Sequence, residues 1–242
     1  MDAAQVLAVA GAVFVASFVQ AIAGFGFGLM AMPLMTLVIA PSSAVVVSTL
    51  VSVFITTWQS WSMRADARRP VVKRMAIGAY LGMPLGLFIL TTVSESALRL
   101  ALGIAVLVAV VLLAMNVQFD PGPRTDATAG FVSGVLNTSV STNGPPLVFA
   151  LQARRLDAPE FRATISAVFA LSNVFALTLF VASGRVNRDG LITAALAVPA
   201  LLLGQAIGYP LRRHVHGQRF RVLVLVLLAV AGVSAVLGAL RG

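Results

Sequence analysis

Two short knots of glycine, proline and polar residues interrupt a chain that is otherwise strongly apolar. The first is Gly24-Phe25-Gly26-Phe27-Gly28, with Gln20 four residues ahead of it. The second is Ser141-Thr142-Asn143-Gly144-Pro145-Pro146, with Asn137 four residues ahead. Glycine and proline are poor in a helix interior, so each knot should end one helix and open another. The first N–H groups of the new helix have no partner within it. Together with the positive end of the helix dipole they can hold an anion without a basic side chain. Asn137, Thr138, Ser139, Ser141, Thr142 and Asn143 add hydroxyls and amides to the second knot. The chemistry on offer is therefore anion binding, by Gln20, Gly24, Gly26 and Gly28 with Asn137, Ser141, Thr142, Asn143, Gly144 and Pro145. Side-chain donors should come mainly from the second knot, and backbone with the faces of Phe25 and Phe27 from the first. Pro145 or Pro146 suits a first helical position.

The knots are equivalent places in a repeat. Phe14-Val15-Ala16-Ser17 through Gly28 aligns, at a shift of 117, with Phe131-Val132-Ser133-Gly134 through Pro145. Farther on, Gly82, Gly86 and Arg99 match Gly204, Gly208 and Arg221 at a shift of 122. A loop insertion accounts for the drift. Two similar halves, each with an interrupted apolar segment at the corresponding place, point to a transporter whose binding site lies at the interruptions.

Composition sets the solvent of these elements. Hydrophobic residues make up 59% of the 242 and charged residues 10%, against roughly 25% charged in soluble domains. No soluble fold buries so much apolar surface, so the expected partner is the lipid bilayer. The 17 basic residues outnumber the 8 acidic ones, but they sit in short loops between apolar runs. That pattern orients a membrane protein and argues against nucleic acid. With no cysteine, disulfides and thiol chemistry are excluded. The N-terminus lacks the positive region of a cleaved signal, so the first apolar run is expected to be a retained membrane segment. No nucleotide-binding loop, catalytic triad or metal-ligand cluster is present. The expectation is a non-enzyme without cofactor or metal.

At about 20 apolar residues per crossing, spans are expected at 42–63, 70–92, 97–117, 160–183, 190–211 and 219–240. The regions 4–39 and 127–153 hold the knots. Asp120-Pro121-Gly122-Pro123 marks a linker, giving a first repeat over 1–117, a linker over 118–126 and a second repeat over 127–242. If each broken region is a hairpin that returns to the side it entered, loops 64–74, 154–162 and 212–221 share one face with Arg124. That face then holds 13 of the 17 basic residues, as cytoplasmic loops should. Each half then has one hairpin and three crossings. The fold class expected is an all-helical membrane protein of two inverted repeats, with both termini periplasmic.

Other polar residues within the spans are Thr56, Thr57, Gln59, Ser166, Ser172, Asn173, Thr178 and Gln205. Most such groups make interhelical hydrogen bonds; Asn173 and Gln205 are the stronger site candidates. Gly82-x-x-x-Gly86 and Gly204-x-x-x-Gly208 read as helix-packing seams. Trp58 and Trp61 suit a membrane interface. Arg99 and Arg221, at equivalent span starts, could guide an anion into a vestibule on each side, although headgroup snorkelling explains them as well. His214 and His216 read as a solvated loop. All eight acidic residues fall in loops, termini or span ends, so no buried carboxylate is expected for ion coupling.

The G-F-G-x-G knot, the second-half G-x-x-x-x-x-x-x-x-N-G-P-P and the paired hydrophobic segments resemble the sulfite exporter TauE/SafE family. The resemblance covers essentially the whole chain. It places Gly24, Gly26 and Gly28 in the first family motif, and Gly134, Asn143, Gly144, Pro145 and Pro146 in the second. Ser141-Thr142 stands where many relatives have glycine. The resemblance implies transport, mostly outward across a bacterial inner membrane, of sulfite, sulfoacetate or other organosulfonates. The expected partner is thus a small anionic solute, with rocking of one half against the other as the mechanism; a homo-oligomer is compatible with this. An anion channel and a non-transporting membrane assembly subunit are the other readings the residues leave open.

Overall fold

A computed structural model describes residues 3–115 and 120–211, with a few helical positions between 226 and 237. Its elements are α1 (Ala3–Ala23), α2 (Phe27–Met35), α3 (Pro41–Ser62), α4 (Arg69–Thr92), α5 (Glu95–Met115), α6 (Pro123–Val140), α7 (Gly144–Gln152), α8 (Ala158–Ala182) and α9 (Arg188–Leu211). Among the described residues the chain is all-helical. Prolines open α3, α4, α6 and α8 in their first turns, where a missing N–H costs little. Asp157 caps α8 by accepting from the Glu160 N–H at 2.8 Å.

Five expected spans appear as α3, α4, α5, α8 and α9; the sixth, 219–240, lies for the most part outside the described residues. Among the described residues six helices are long and apolar enough to cross a membrane: these five and α1. The first knot thus follows a helix of full crossing length, about 31 Å at 1.5 Å per residue. The second follows the less apolar α6, which begins at Pro123.

Both broken regions fold back on themselves. Gln5, at the start of α1, donates through Nε2 to the carbonyl of Val38, beyond α2, at 3.3 Å. Asp126, in the first turn of α6, meets Arg154, beyond α7, at 2.8 Å. The ends of each hairpin lie together, and the knots are their tips.

Packing crosses between the sequence halves. Helix α4 lies along α6 and α1 along α9, while α3 and α8 pair in the middle. Glycines bring the outer pairs to backbone contact. A Cβ on Gly82 would sit 2.1 Å from the carbonyl oxygen of Phe131, and one on Gly204 would sit 2.6 Å from that of Phe14. Phe14 and Phe131 are repeat equivalents, as are Gly82 and Gly204, so the two seams use the same residues. Each hairpin is seamed to the other half's helix, and the halves interlock.

Candidate functional site

Each tip begins with a helix that ends in the left-handed region. Gly24 (φ +84°) donates its N–H to the Gln20 carbonyl at 2.7 Å. Its repeat equivalent, Ser141, has φ +53° and donates to the Asn137 carbonyl at 3.2 Å, while the Thr142 N–H reaches Leu136 at 3.3 Å. The Ser141–Asn137 bond is that of an αL cap, a position normally taken by glycine. Ser141 accepts the strained conformation with its hydroxyl 3.1 Å from that of Ser48 on α3. A non-glycine residue held there costs of order 1–3 kcal/mol, a cost met most often at binding sites.

The two tips touch. A Cβ on Gly28 would lie 1.8 Å from the Ser141 carbonyl oxygen, so only glycine allows this approach. Between them lies a cavity of about 20 Å³ lined by Gln20, Gly26, Phe27, Gly28, Leu29, Ser52, Thr56, Ser141, Asn143, Gly144, Phe169 and Asn173. No charged side chain is among them.

The donors divide unevenly. In α2 the first helical bond runs from the Met30 N–H to the Gly26 carbonyl at 3.1 Å. The N–H groups of Phe27, Gly28 and Leu29 therefore have no partner within the helix. In α7, Gly144 takes the first position, and Pro145 and Pro146 follow it without an N–H to offer. Backbone donors thus come chiefly from the first tip, and side-chain donors from the second. Buried polar atoms without a partner cluster at the same place: Gln20 Oε1, Asn137 Nδ2, Thr142 Oγ1 and Asn143 Nδ2. Unpaired buried polar groups are costly and rare. Two of them, Gln20 Oε1 and Asn143 Nδ2, belong to residues that line the cavity and leave it polar groups to offer a ligand or water.

Of the expected site residues, Gln20, Gly26, Gly28, Ser141, Asn143 and Gly144 line the cavity. Gly24, Asn137 and Thr142 stand behind it in the tip turns. Pro145 faces away, into a larger apolar cavity of about 420 Å³ between α5, α6 and α7, which offers an anion nothing. Asn173 is at the site; Gln205 instead donates to the Ser17 carbonyl at 2.9 Å in the α1–α9 seam. Arg99 lines a separate pocket with Gln5 and Ser43, its Nε buried and unpartnered. Arg221, His214 and His216 lie outside the described residues. Ser48, Ser52 and Phe169 were not singled out by sequence. The signal was the spacing of Ser48, Ser52 and Thr56, four residues apart on one face of α3.

One expectation is overturned. Asp126 is fully buried, because α6 starts at Pro123 and turns its first-turn carboxylate towards α4. It is paired with Arg74 Nε at 2.8 Å and Arg154 Nη2 at 2.8 Å. It closes the mouth of the second hairpin and does not line the cavity.

Comparison with known proteins supplies a family for the chain. The family described as Sulfite exporter TauE/SafE matches residues 9–235. A Comamonas testosteroni protein named "Probable inner membrane transporter protein TsaS" is 31% identical over 115 residues. That match covers 47% of this chain and 48% of the relative, about half its length. A Cupriavidus necator protein named "Probable sulfite/organosulfonate exporter TauE" is 26% identical over 203 residues, 79% of this chain and 78% of the relative. No solved structure matches the chain significantly.

Proposed function

From the premise that this chain belongs to the sulfite exporter TauE/SafE family, we propose that it exports a small sulfur-containing anion, sulfite or an organosulfonate, through the cavity between the hairpin tips. The observation that carries this is the pairing of unengaged N–H groups at the start of α2 with the Asn143 amide across one cavity. An oxyanion there would take hydrogen bonds from Phe27, Gly28, Leu29 and Gly144 N–H groups, from Asn143 Nδ2 and from the Ser141 hydroxyl. A half-turn of the Gln20 amide presents its NH₂ in place of Oε1. Both nine-residue helices point their positive ends inward, and no carboxylate opposes the charge.

At about 20 Å³ the cavity suits a water, not a sulfur oxyanion, so the tips must part for the substrate. The glycine seams support one reading of the motion. Glycine contacts join α1–α2 to α9 and α6–α7 to α4, and these composite units, not the sequence halves, rock about the α3–α8 pair. The repeats are inverted, with the tips near the bilayer midplane and both termini periplasmic in a bacterial inner membrane. That topology rests on the arginine-rich loops sharing one face. With no carboxylate in the cavity, transport is electrogenic uniport or is coupled through protonation of the substrate itself.

The test is charge movement on a solid-supported membrane bearing the purified protein, challenged with sulfite, thiosulfate, sulfoacetate, sulfate and chloride. A saturable current for a sulfur anion, lost in Asn143→Ala, is expected. Absence of both current and sulfur-anion flux into proteoliposomes would overturn the reading.

A further inference from the structure

A second place in the fold is chemically suited to anions. Where α3 ends and α4 begins, Arg68, Arg74, Arg154 and Arg155 line an open pocket of about 870 Å³. Their counter-charges are few. Glu160 engages Arg68 at 2.5 Å. The single carboxylate of Asp126 serves both Arg74 and Arg154, through Arg74 Nε and Arg154 Nε and Nη2. The Nη groups of Arg74 and Nη1 of Arg154 are not used by Asp126. Arg155, held at φ +50°, has no ion-pair partner among the described residues. Asp120 is the remaining acid on the wall. Four guanidinium groups against three carboxylates leave an excess of positive charge, in the forked geometry that matches oxyanions.

One apolar cluster reaches from the wall of this pocket to the wall of the inner cavity. Leu156 lines the pocket and packs in the same apolar cluster as Phe25 and Phe161. The Phe25 and Phe161 rings meet edge to face, 6.5 Å apart at 72°. On its other side Phe25 reaches Gly144, lying 3.9 Å from where a Cβ would stand. Gly144 lines the inner cavity. Phe25 itself belongs to the first tip, between Gly24 and Gly26, so movement of the tip moves this part of the cluster.

We propose that the arginine pocket is a second binding site, for small oxyanions of the sulfonate and sulfate class, and that Phe25 and Phe161 form the seal between it and the inner cavity. Binding in the pocket stands on its own; passage across the seal rests on the transport reading above. A phospholipid phosphate shares the chemistry, and the test separates the two sources.

The chain has no cysteine, so a single introduced thiol reports without background. Leu156→Cys, in the full-length protein in zwitterionic nanodiscs, is labelled with anionic and cationic thiosulfonate reagents. Rates are corrected for reaction with a free thiol. The anionic reagent should react about tenfold faster at low salt, and the preference should fade near about 1 M salt. Sulfate should slow labelling saturably, and Arg68→Gln/Arg155→Gln should abolish that protection. Equal rates, or no protection by sulfate, overturn the site. Protection by phosphatidylglycerol in the nanodisc, with none from sulfate, overturns it in favour of a lipid. For the seal, Phe161→Ala should raise labelling of Ser52→Cys by about tenfold, the gain expected when an apolar barrier to a charged reagent is removed. An unchanged rate overturns it. Sulfate protection at Leu156→Cys with neither transport current nor sulfur-anion flux would leave the arginine pocket standing while the transport reading fell.

Discussion

Asn173 donates through Nδ2 to the hydroxyl of Thr56 at 3.4 Å, and the two residues stand 117 positions apart. That interval equals the shift that relates the two knots, and both residues line the cavity, one from α3 and one from α8. The cavity is therefore centred on the α3–α8 pair as well as on the tips.

Asn173→Ala separates the roles of this contact. The Thr56 hydroxyl keeps its own bond to the Ser52 carbonyl at 2.7 Å, so the stability loss should be about 1 kcal/mol, as for one interhelical hydrogen bond. Transport of the sulfur anion should fall about tenfold, the effect of about 1.4 kcal/mol lost at the site. Full transport with a collapsed melting temperature would reverse that assignment.

The glycines of the tips should differ by mechanism. Gly28→Ala drives a Cβ into the Ser141 carbonyl and should both lower the melting temperature and remove transport. Gly26→Ala meets nothing within 4 Å, but φ is +98° there, so the cost is backbone strain of about 1–2 kcal/mol. Gly122→Ala, with open space around it and extended backbone, should be silent. Thermal unfolding in detergent ranks the three; Gly28→Ala as mild as Gly122→Ala would mean that the tips do not touch.

Breaking the buried ion cluster should cost more than removing it. Asp126→Leu leaves Arg74 and Arg154 crowded without their carboxylate, a loss of about 3–5 kcal/mol for a broken buried pair. Adding Arg154→Met should recover a large part of it. Equal stability of the single and double variants would show that the two charges are not coupled.

Inverted topology fixes where reporters work. A fluorescent protein that matures only in the cytoplasm should stay dark on either terminus, whereas alkaline phosphatase there should be active. Inserted at the 64–68 loop, beside Arg64 and Arg68, the signals should swap. Bright fluorescence from the C-terminus removes the inverted arrangement.

Much of the fold was legible in the chain. Pro41, Pro70 and Pro159 give the helix starts because a pyrrolidine ring acts on its own turn. Gly24-Phe25-Gly26 and Ser141-Thr142-Asn143 give the breaks for the same local reason, and the 117-residue shift relates them. The Gly82 and Gly204 seams follow from small residues spaced four apart. Asp126 was misread because burial of a first-turn carboxylate depends on Arg74 and Arg154, which reach it from 52 and 28 residues away. Ser48 and Ser52 were missed because a hydroxyl in a span pairs as readily with its own helix as with a site.

By itself, the sequence determined the membrane as solvent, the helical class, the positions of both breaks and their residue chemistry. These are set by composition and by the preferences of neighbouring residues, which no distant contact has to supply. The tertiary structure decided which groups share the cavity. It set Asn143 and Gly26 together, turned Pro145 away, locked each hairpin to the opposite half and brought Asn173 to Thr56. Those choices come from close packing between segments as many as 190 residues apart, where one missing Cβ, as at Gly28, decides whether two backbones can meet.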